Sequence, residues 1–279
     1  MSARIKRTAI DWIVLVLTMV LALVFVFPFF WMFSTATKPT EEVFKRPPEL
    51  LSSKLTFKAF SEVWQTRPMG TFFFNSAVVA FCVTVVAVSL AFLAAYGFSR
   101  WSFRGKKGFL GFIIATQMLP EVLLITPYFI VMARLGLVNT RFALMLAYSS
   151  FALPFCTWML KGFIDSLPRE LDEAALIDGC SRLQLLFRVI APLALPGLGV
   201  TVLFSLLLSW NHYLFAMVLV TDEALYTFPV GLASFIGEYV TTWNQVMAGA
   251  IIATIPIILS AAFLERYLVT GLSAGAVKQ

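Results

Sequence analysis

Charge is scarce in this chain. Only 13% of its 279 residues are Asp, Glu, Lys or Arg, 60% are hydrophobic, and the mean hydropathy is +0.88. That balance excludes an ordinary soluble domain, because too little polar surface exists to cover a globule of this size. Cysteine is also sparse. Cys82, Cys156 and Cys180 are scattered, and two lie in apolar runs, so they read as small core residues and not as a disulfide framework. A single histidine, His212, leaves metal chemistry without a ligand set. No phosphate-binding Gly-x-x-x-x-Gly-Lys-Ser/Thr run is present, since Gly105-Lys106-Lys107 lacks the upstream glycine and the hydroxyl. The chain is therefore not expected to hydrolyse nucleotide or to act as an enzyme. Its net charge of +6 is spread over loops between apolar runs, which marks membrane orientation and not a nucleic-acid surface.

Long apolar runs are what the chain has. A bilayer crossing needs about 20 apolar residues, and candidate spans fall at 12–34, 74–98, 109–133, 142–160, 195–220 and 246–264. The first run is too long for a signal-peptide core and is expected to stay as an uncleaved helix. Between it and the second lies a polar connection from Lys38 to Met69, expected to be an ordered extramembrane loop with a short helix around Phe57 to Trp64. Pro120 and Pro127 interrupt the third span, and each removes a backbone donor. Basic residues are asymmetric. Arg100, Arg104, Lys106 and Lys107 follow the second span with no acid among them, whereas 221–243 carries Asp222, Glu223 and Glu238 and no Lys or Arg. By the positive-inside rule both termini and the connections at 99–108 and 161–192 lie in the cytoplasm.

The most informative stretch is the polar interruption at 165–192. Pro168 stands where a helix could start, with Asp165 or Ser166 as a cap. Glu170, Asp172 and Glu173 suit the positive end of its dipole, and Gly179 suits a C-terminal stop. A second apolar-rich helix, Leu183 to Ile190, runs on to Pro192. Ala174 and Ala175 allow close approach to a partner, while Glu173 and Asp178 offer charge for ion pairs.

Glu173-Ala174-Ala175, then Asp178-Gly179, and Pro192 beyond them resemble the EAA loop of ABC importer permeases, the membrane subunits of binding-protein-dependent uptake systems. One departure is Cys180, where that pattern usually has Ala. Asn75-Ser76, Ala94-Ala95-Tyr96 and the turn from Leu135 to Thr140 also resemble family positions. The tail, with Arg266-Tyr267-Leu268-Val269 and Gly275-Ala276-Val277-Lys278, resembles the carbohydrate-uptake branch, in particular the smaller maltose-type permease chain.

The resemblance implies an all-α polytopic membrane protein: a single transmembrane domain of six helices, both termini cytoplasmic, and a cytoplasmic coupling helix between helices 4 and 5. That helix would dock in a groove on a separate ATPase through Glu170, Glu173, Ala174, Ala175, Asp178 and Gly179. The resemblance further implies a second homologous permease, two copies of the ATPase using ATP and Mg, and an extracytoplasmic solute-binding protein that meets the first outer loop. The substrate would be sugar-like, and the location the cytoplasmic (inner) membrane of a prokaryote. No cofactor is expected in this chain.

Candidate pathway residues are the polar groups at membrane depth, since a buried ionisable group is costly and usually faces a cavity or a partner. Gln117 and Glu121 beside Pro120 form one set. Asn211 and His212, flanked by Trp210 and Tyr213, form the other, pairing amide donors with aromatic faces suited to sugar rings. Each set has a structural alternative: an end-of-helix contact for Glu121, an interfacial aromatic belt and a locally satisfied imidazole for the second. Two other functions fit the composition, an ion-coupled secondary transporter and a membrane-embedded enzyme. The first lacks internal repeats and further buried carboxylates, the second a cluster of reactive side chains.

Overall fold

The computed structural model describes residues 2–52, 54–237 and 241–276, with side chains described from 11 to 265 within those ranges. The helices are α1 (Ser2–Ala36), α2 (Lys58–Thr66), α3 (Met69–Arg100), α4 (Lys106–Thr116), α5 (Glu121–Arg134), α6 (Arg141–Asp165), α7 (Glu170–Ile177), α8 (Arg182–Gln184), α9 (Ala191–Leu193), α10 (Leu195–Asn211), α11 (Leu214–Leu219), α12 (Phe228–Ala233) and α13 (Trp243–Ala276). A π-helical turn, Leu185–Ile190, joins α8 to α9. Apart from one isolated bridge, Ile236 to Thr241, the described residues contain no β-structure. The chain forms two units, one of Met1–Arg67 with Leu232–Ile255, the other of Pro68–Gly231 with Pro256–Gln279.

In the first unit, α1 is apolar and exposed from Trp12 to Phe30, with Pro28 inside it. Its end is tied down. Ser34 donates to the Leu50 carbonyl, and Lys38 donates to the Glu49 carbonyl while lying over the Trp31 ring. The following loop is ordered, as its mixed charge and prolines led one to expect, and α2 buries Ala59 and Val63 on one face. Asn244 donates to Thr40 at 3.1 Å and Gln245 to Glu62 at 3.1 Å, which fastens the start of α13 to this loop.

The second unit is organised by α3 packed along α6. Ala80, Ala87, Ala91 and Ala95 of α3 are buried, as are Ala143, Ala147 and Ala152 of α6. Small side chains let two helix backbones approach closely, which is how helices associate in lipid. Two expected spans are broken. The third is two helices, α4 and α5, bent by 98°. Pro120 caps α5 in extended conformation, whereas Pro127 is absorbed inside it. The fifth, expected to run from 195 to 220, ends at Asn211. His212 is extended, and the chain resumes as α11 only at Leu214. No proline marks this break, and the Asn211 side chain instead bonds its own helix at the Leu207 carbonyl. The segment 182–193 meets α10 at 80°.

By length and composition, α1, α3, α6 and α13 can each cross a membrane, and the described residues provide up to six crossings if each bent pair is one span. The resemblance noted in the tail falls on side chains at 266–279, and Glu238 falls at 238–240, all outside the described residues.

Two glycines in this unit, Gly197 and Gly231, stand where an added Cβ would overlap a phenylalanine. A Cβ added at Gly231 would lie 2.0 Å from Cδ2 of Phe72, which is fully buried. Gly231→Val should therefore destabilise the unit by about 1–3 kcal/mol, read as a lower thermal midpoint of the purified protein; an unchanged midpoint would show that Phe72 has room to move.

Candidate functional site

The polar interruption folds as a short helix with two different faces. Helix α7 begins at Glu170, after an α-helical Arg169 that makes no side-chain cap bond. The expected cap is therefore absent: Ser166 turns back to the Phe163 carbonyl at the end of α6, and Pro168 lies ahead of the helix. The C-terminus follows expectation. Gly179 has φ +82°, its N–H bonds the Leu176 carbonyl, and the Cys180 N–H bonds the Ala175 carbonyl at 3.0 Å. This is a Schellman arrangement, which needs a residue tolerant of left-handed backbone.

Asp172 and Ala175 form the inner face of α7 and are buried. Asp172 lies 2.9 Å from Arg100 Nε at the end of α3, and both side chains are almost wholly enclosed. The Tyr96 hydroxyl approaches the same carboxylate at 3.5 Å. Arg100 also donates to the Leu167 carbonyl at 3.3 Å, and Arg169 donates to the Ser99 carbonyl at 3.2 Å. Glu170, Glu173, Ala174, Ile177, Asp178 and Gly179 are exposed, Ile177 to 86%. Of the residues expected to meet a partner, only Ala175 points inward. Its small side chain serves the packing of α7 onto its own unit.

The second set of candidates gathers where the two helix breaks meet α6. Glu121 Oε2, at the start of α5, stands 3.8 Å from His212 Nε2. The imidazole stacks on Tyr148 with centroids 4.4 Å apart and planes 9° apart. Tyr148 donates its hydroxyl proton to the His212 carbonyl at 3.3 Å, which satisfies a backbone group freed by the break. Gln117 donates to the Phe151 carbonyl at 3.4 Å. His212 is buried, whereas Glu121 is partly open. A carboxylate and an imidazole thus meet beside the Tyr148 ring.

Trp210, Asn211 and Tyr213 do not join them. Trp210 packs against Phe73 and Phe228 and lines an apolar cleft of about 530 Å³ with Ala77, Ala80, Leu207 and Pro256. The Asn211 amide is held by its own helix, and Tyr213 packs against the buried core. Sequence reasoning missed Tyr148, Asp172 and Arg100 as site residues. Nothing in an apolar span distinguishes Tyr148 from its neighbours, and the two charges read as a helix-dipole acid and an orientation signal.

A family model described as "Binding-protein-dependent transport system inner membrane component" matches residues 87–274. The chain belongs to this family. The permease is 37% identical over 263 residues to the trehalose/maltose transport system permease protein MalG of Thermococcus litoralis, covering 92% of this chain and 93% of that one. It is 34% identical over 254 residues to the inner membrane ABC transporter permease protein YcjP of Escherichia coli, covering 90% and 91%. The diacetylchitobiose uptake system permease protein DasC of Streptomyces coelicolor is 34% identical over 264 residues, 94% and 95% of the two chains. In fold, the permease resembles a solved bacterial ABC transporter involved in the import of the acidic polysaccharide alginate, with a TM-score of 0.78, 24% identity, and coverage of 94% and 98%. The permease is thus a multi-pass membrane transport subunit and not an enzyme, which sets aside both alternative functions.

The Tyr148 ring and hydroxyl have separable roles. Tyr148→Phe should cost about 1 kcal/mol through the lost bond to the His212 carbonyl, whereas Tyr148→Ala should cost about 3–5 kcal/mol through the emptied space. Thermal melting of the two variants checks this, and equal losses would mean that the hydroxyl contributes nothing.

Proposed function

We propose that this permease is one half of the membrane channel of a sugar importer in the inner membrane of a prokaryote, and that α7 is the coupling helix through which ATPase subunits drive it. One observation carries the reading: α7 is anchored beneath by Asp172 and presents Glu170, Glu173, Ala174, Ile177 and Asp178 outward. A large apolar residue exposed to 86% amid acids, on a helix fixed from behind, has the form of a docking face.

The proposed topology has six crossings with both termini inside, so that α7 and the basic connection after α3 lie in the cytoplasm; the up to six possible crossings and the run of basic residues after α3 support it. This chain has no nucleotide-binding loop, so energy arrives from two ATPase subunits, which hold ATP and Mg. A second, homologous permease lies against the exposed apolar helices, and an extracytoplasmic binding protein delivers solute. Closure of the ATPases pushes α7, and the helices switch between outward- and inward-facing packings, each stable because packed interfaces are bistable. Sugar as the cargo rests on relatives that import trehalose/maltose and diacetylchitobiose. Glu121 and His212, with Gln117 beside them, supply donors and acceptors for hydroxyl groups, over the Tyr148 ring.

Glu173→Arg should reduce copurification of the ATPase more than about tenfold, as expected for reversing a docked charge, while membrane insertion stays normal; full attachment and uptake would remove α7 from the docking role. Glu121→Gln should leave the ATPase attached and raise the uptake KM by about tenfold, the scale of one charged hydrogen bond. Unaltered kinetics would take Glu121 out of the pathway.

A further inference from the structure

Helix α3 is fastened at both of its ends by polar bonds to segments far apart in sequence, and at each end the partners include a connection between helices. At one end Asn75, fully buried, donates through Nδ2 to the carbonyls of Ala224 and Tyr226, both at 2.9 Å. Its Oδ1 accepts from Arg141 Nε at 2.8 Å, and the neighbouring Ser76 hydroxyl accepts from the Phe228 N–H at 2.8 Å. At the other end the ties to α7 and to the residues leading into it converge on the C-terminal part of α3: Asp172 to Arg100 and Tyr96, Arg169 to Ser99, and Leu167 to Arg100. Between these joints runs an unbroken helix without proline. At 1.5 Å per residue, Asn75 and Arg100 are about 38 Å apart, enough to reach across a bilayer.

The joint at α7 is also incomplete. Arg100 Nη2 and Asp172 Oδ1 are buried without hydrogen-bond partners, and Arg100 Nε, though 2.9 Å from Asp172 Oδ2, makes no aligned hydrogen bond either. The pair is a close charge contact that leaves unused the fork with which a guanidinium can grip two oxygens. A buried ion pair is weak evidence for stability, because desolvating both charges offsets their attraction, but it defines a geometry well.

We propose that α3 is a strut that carries displacement of α7 to the outer connection at 221–231, with Arg100–Asp172 as its inner joint and Asn75 as its outer joint. The proposal rests on α7 being the coupling helix. It identifies how a push at the cytoplasmic face reaches the side on which solute is delivered. Rigid elements with two discrete arrangements can transmit coupling over such distances. The joints are positioning residues, and none of them touches substrate.

The test is a double-mutant cycle in the complete complex, reading solute taken up per ATP hydrolysed. Arg100→Lys keeps the charge beside Asp172 and removes the fork that reaches Leu167. Asn75→Asp keeps the acceptor for Arg141 and removes both donors to the outer connection. Each single variant should retain its ATPase and lose about tenfold in uptake per ATP, the scale of coupling changes seen along such networks. Distant independent sites add, so two local defects would give about a hundredfold loss in the double variant. A shared strut gives no more loss than the worse single variant. A hundredfold loss, or singles with normal coupling, would overturn the proposal. If a variant fails to accumulate, Asp172→Asn with Asn75→Ser repeats the cycle with the same two readings. Full attachment and uptake in Glu173→Arg would instead remove the coupling-helix reading itself, whatever the cycle returns.

Discussion

Close approach of α3 and α6 is the contact on which the rest of the permease's larger unit depends. In lipid the hydrophobic effect gives two apolar helices little reason to associate, so packing and polar bonds between them must do it. The buried alanines on both helices bring the backbones together, and Tyr148 is buried in the same cluster. Everything functional is then placed by reference to this pair. Tyr148 is delivered to the helix breaks, Arg141 to Asn75, and Arg100 to α7.

Backbone accounting explains where the polar groups went. An unmade backbone bond at membrane depth costs several kcal/mol, so a broken helix persists only where protein or water replaces what was lost. At 212–213 the Tyr148 hydroxyl takes up a carbonyl; at the other break Gln117 and Met118 bond back to the Ile114 and Ala115 carbonyls, and the Gln117 side chain ties the bend to α6. Both breaks are tied to α6, and Glu121 and His212 meet beside it. If the proposed pathway is assembled from these breaks, it is able to change, because the residues there are not locked into continuous ladders.

The acidic loop shows a division of labour within one short helix. One carboxylate, Asp172, is buried against an arginine and fixes where α7 sits, while Glu170, Glu173 and Asp178 remain in solvent. The first is worth little as net stability but defines position; the others cost nothing to expose and are available to a partner. The lever role proposed for α7 needs both properties. It must be gripped from outside, and it must not slip on its own support.

Read as a string, the chain determined its class and its loop. Apolar runs, basic asymmetry and the Glu-Ala-Ala…Asp-Gly spacing were sufficient for an all-helical membrane permease, and Gly179 foretold the end of α7, because these features depend on residues near one another in sequence. Pro120 likewise marked the bend between α4 and α5. Other outcomes were decided only in three dimensions. Asn211 ended a helix without proline or glycine, Trp210 turned away from the neighbouring His212, and Ala175 faced inward although Ala174 beside it faces out. Asp172 found an arginine more than 70 residues earlier in the chain, and Glu121 a histidine about 90 residues later. Local composition sets which segments become helices and where they stop. Which faces meet depends on the packing of α3 against α6, and that contact has no signature within any single stretch of sequence.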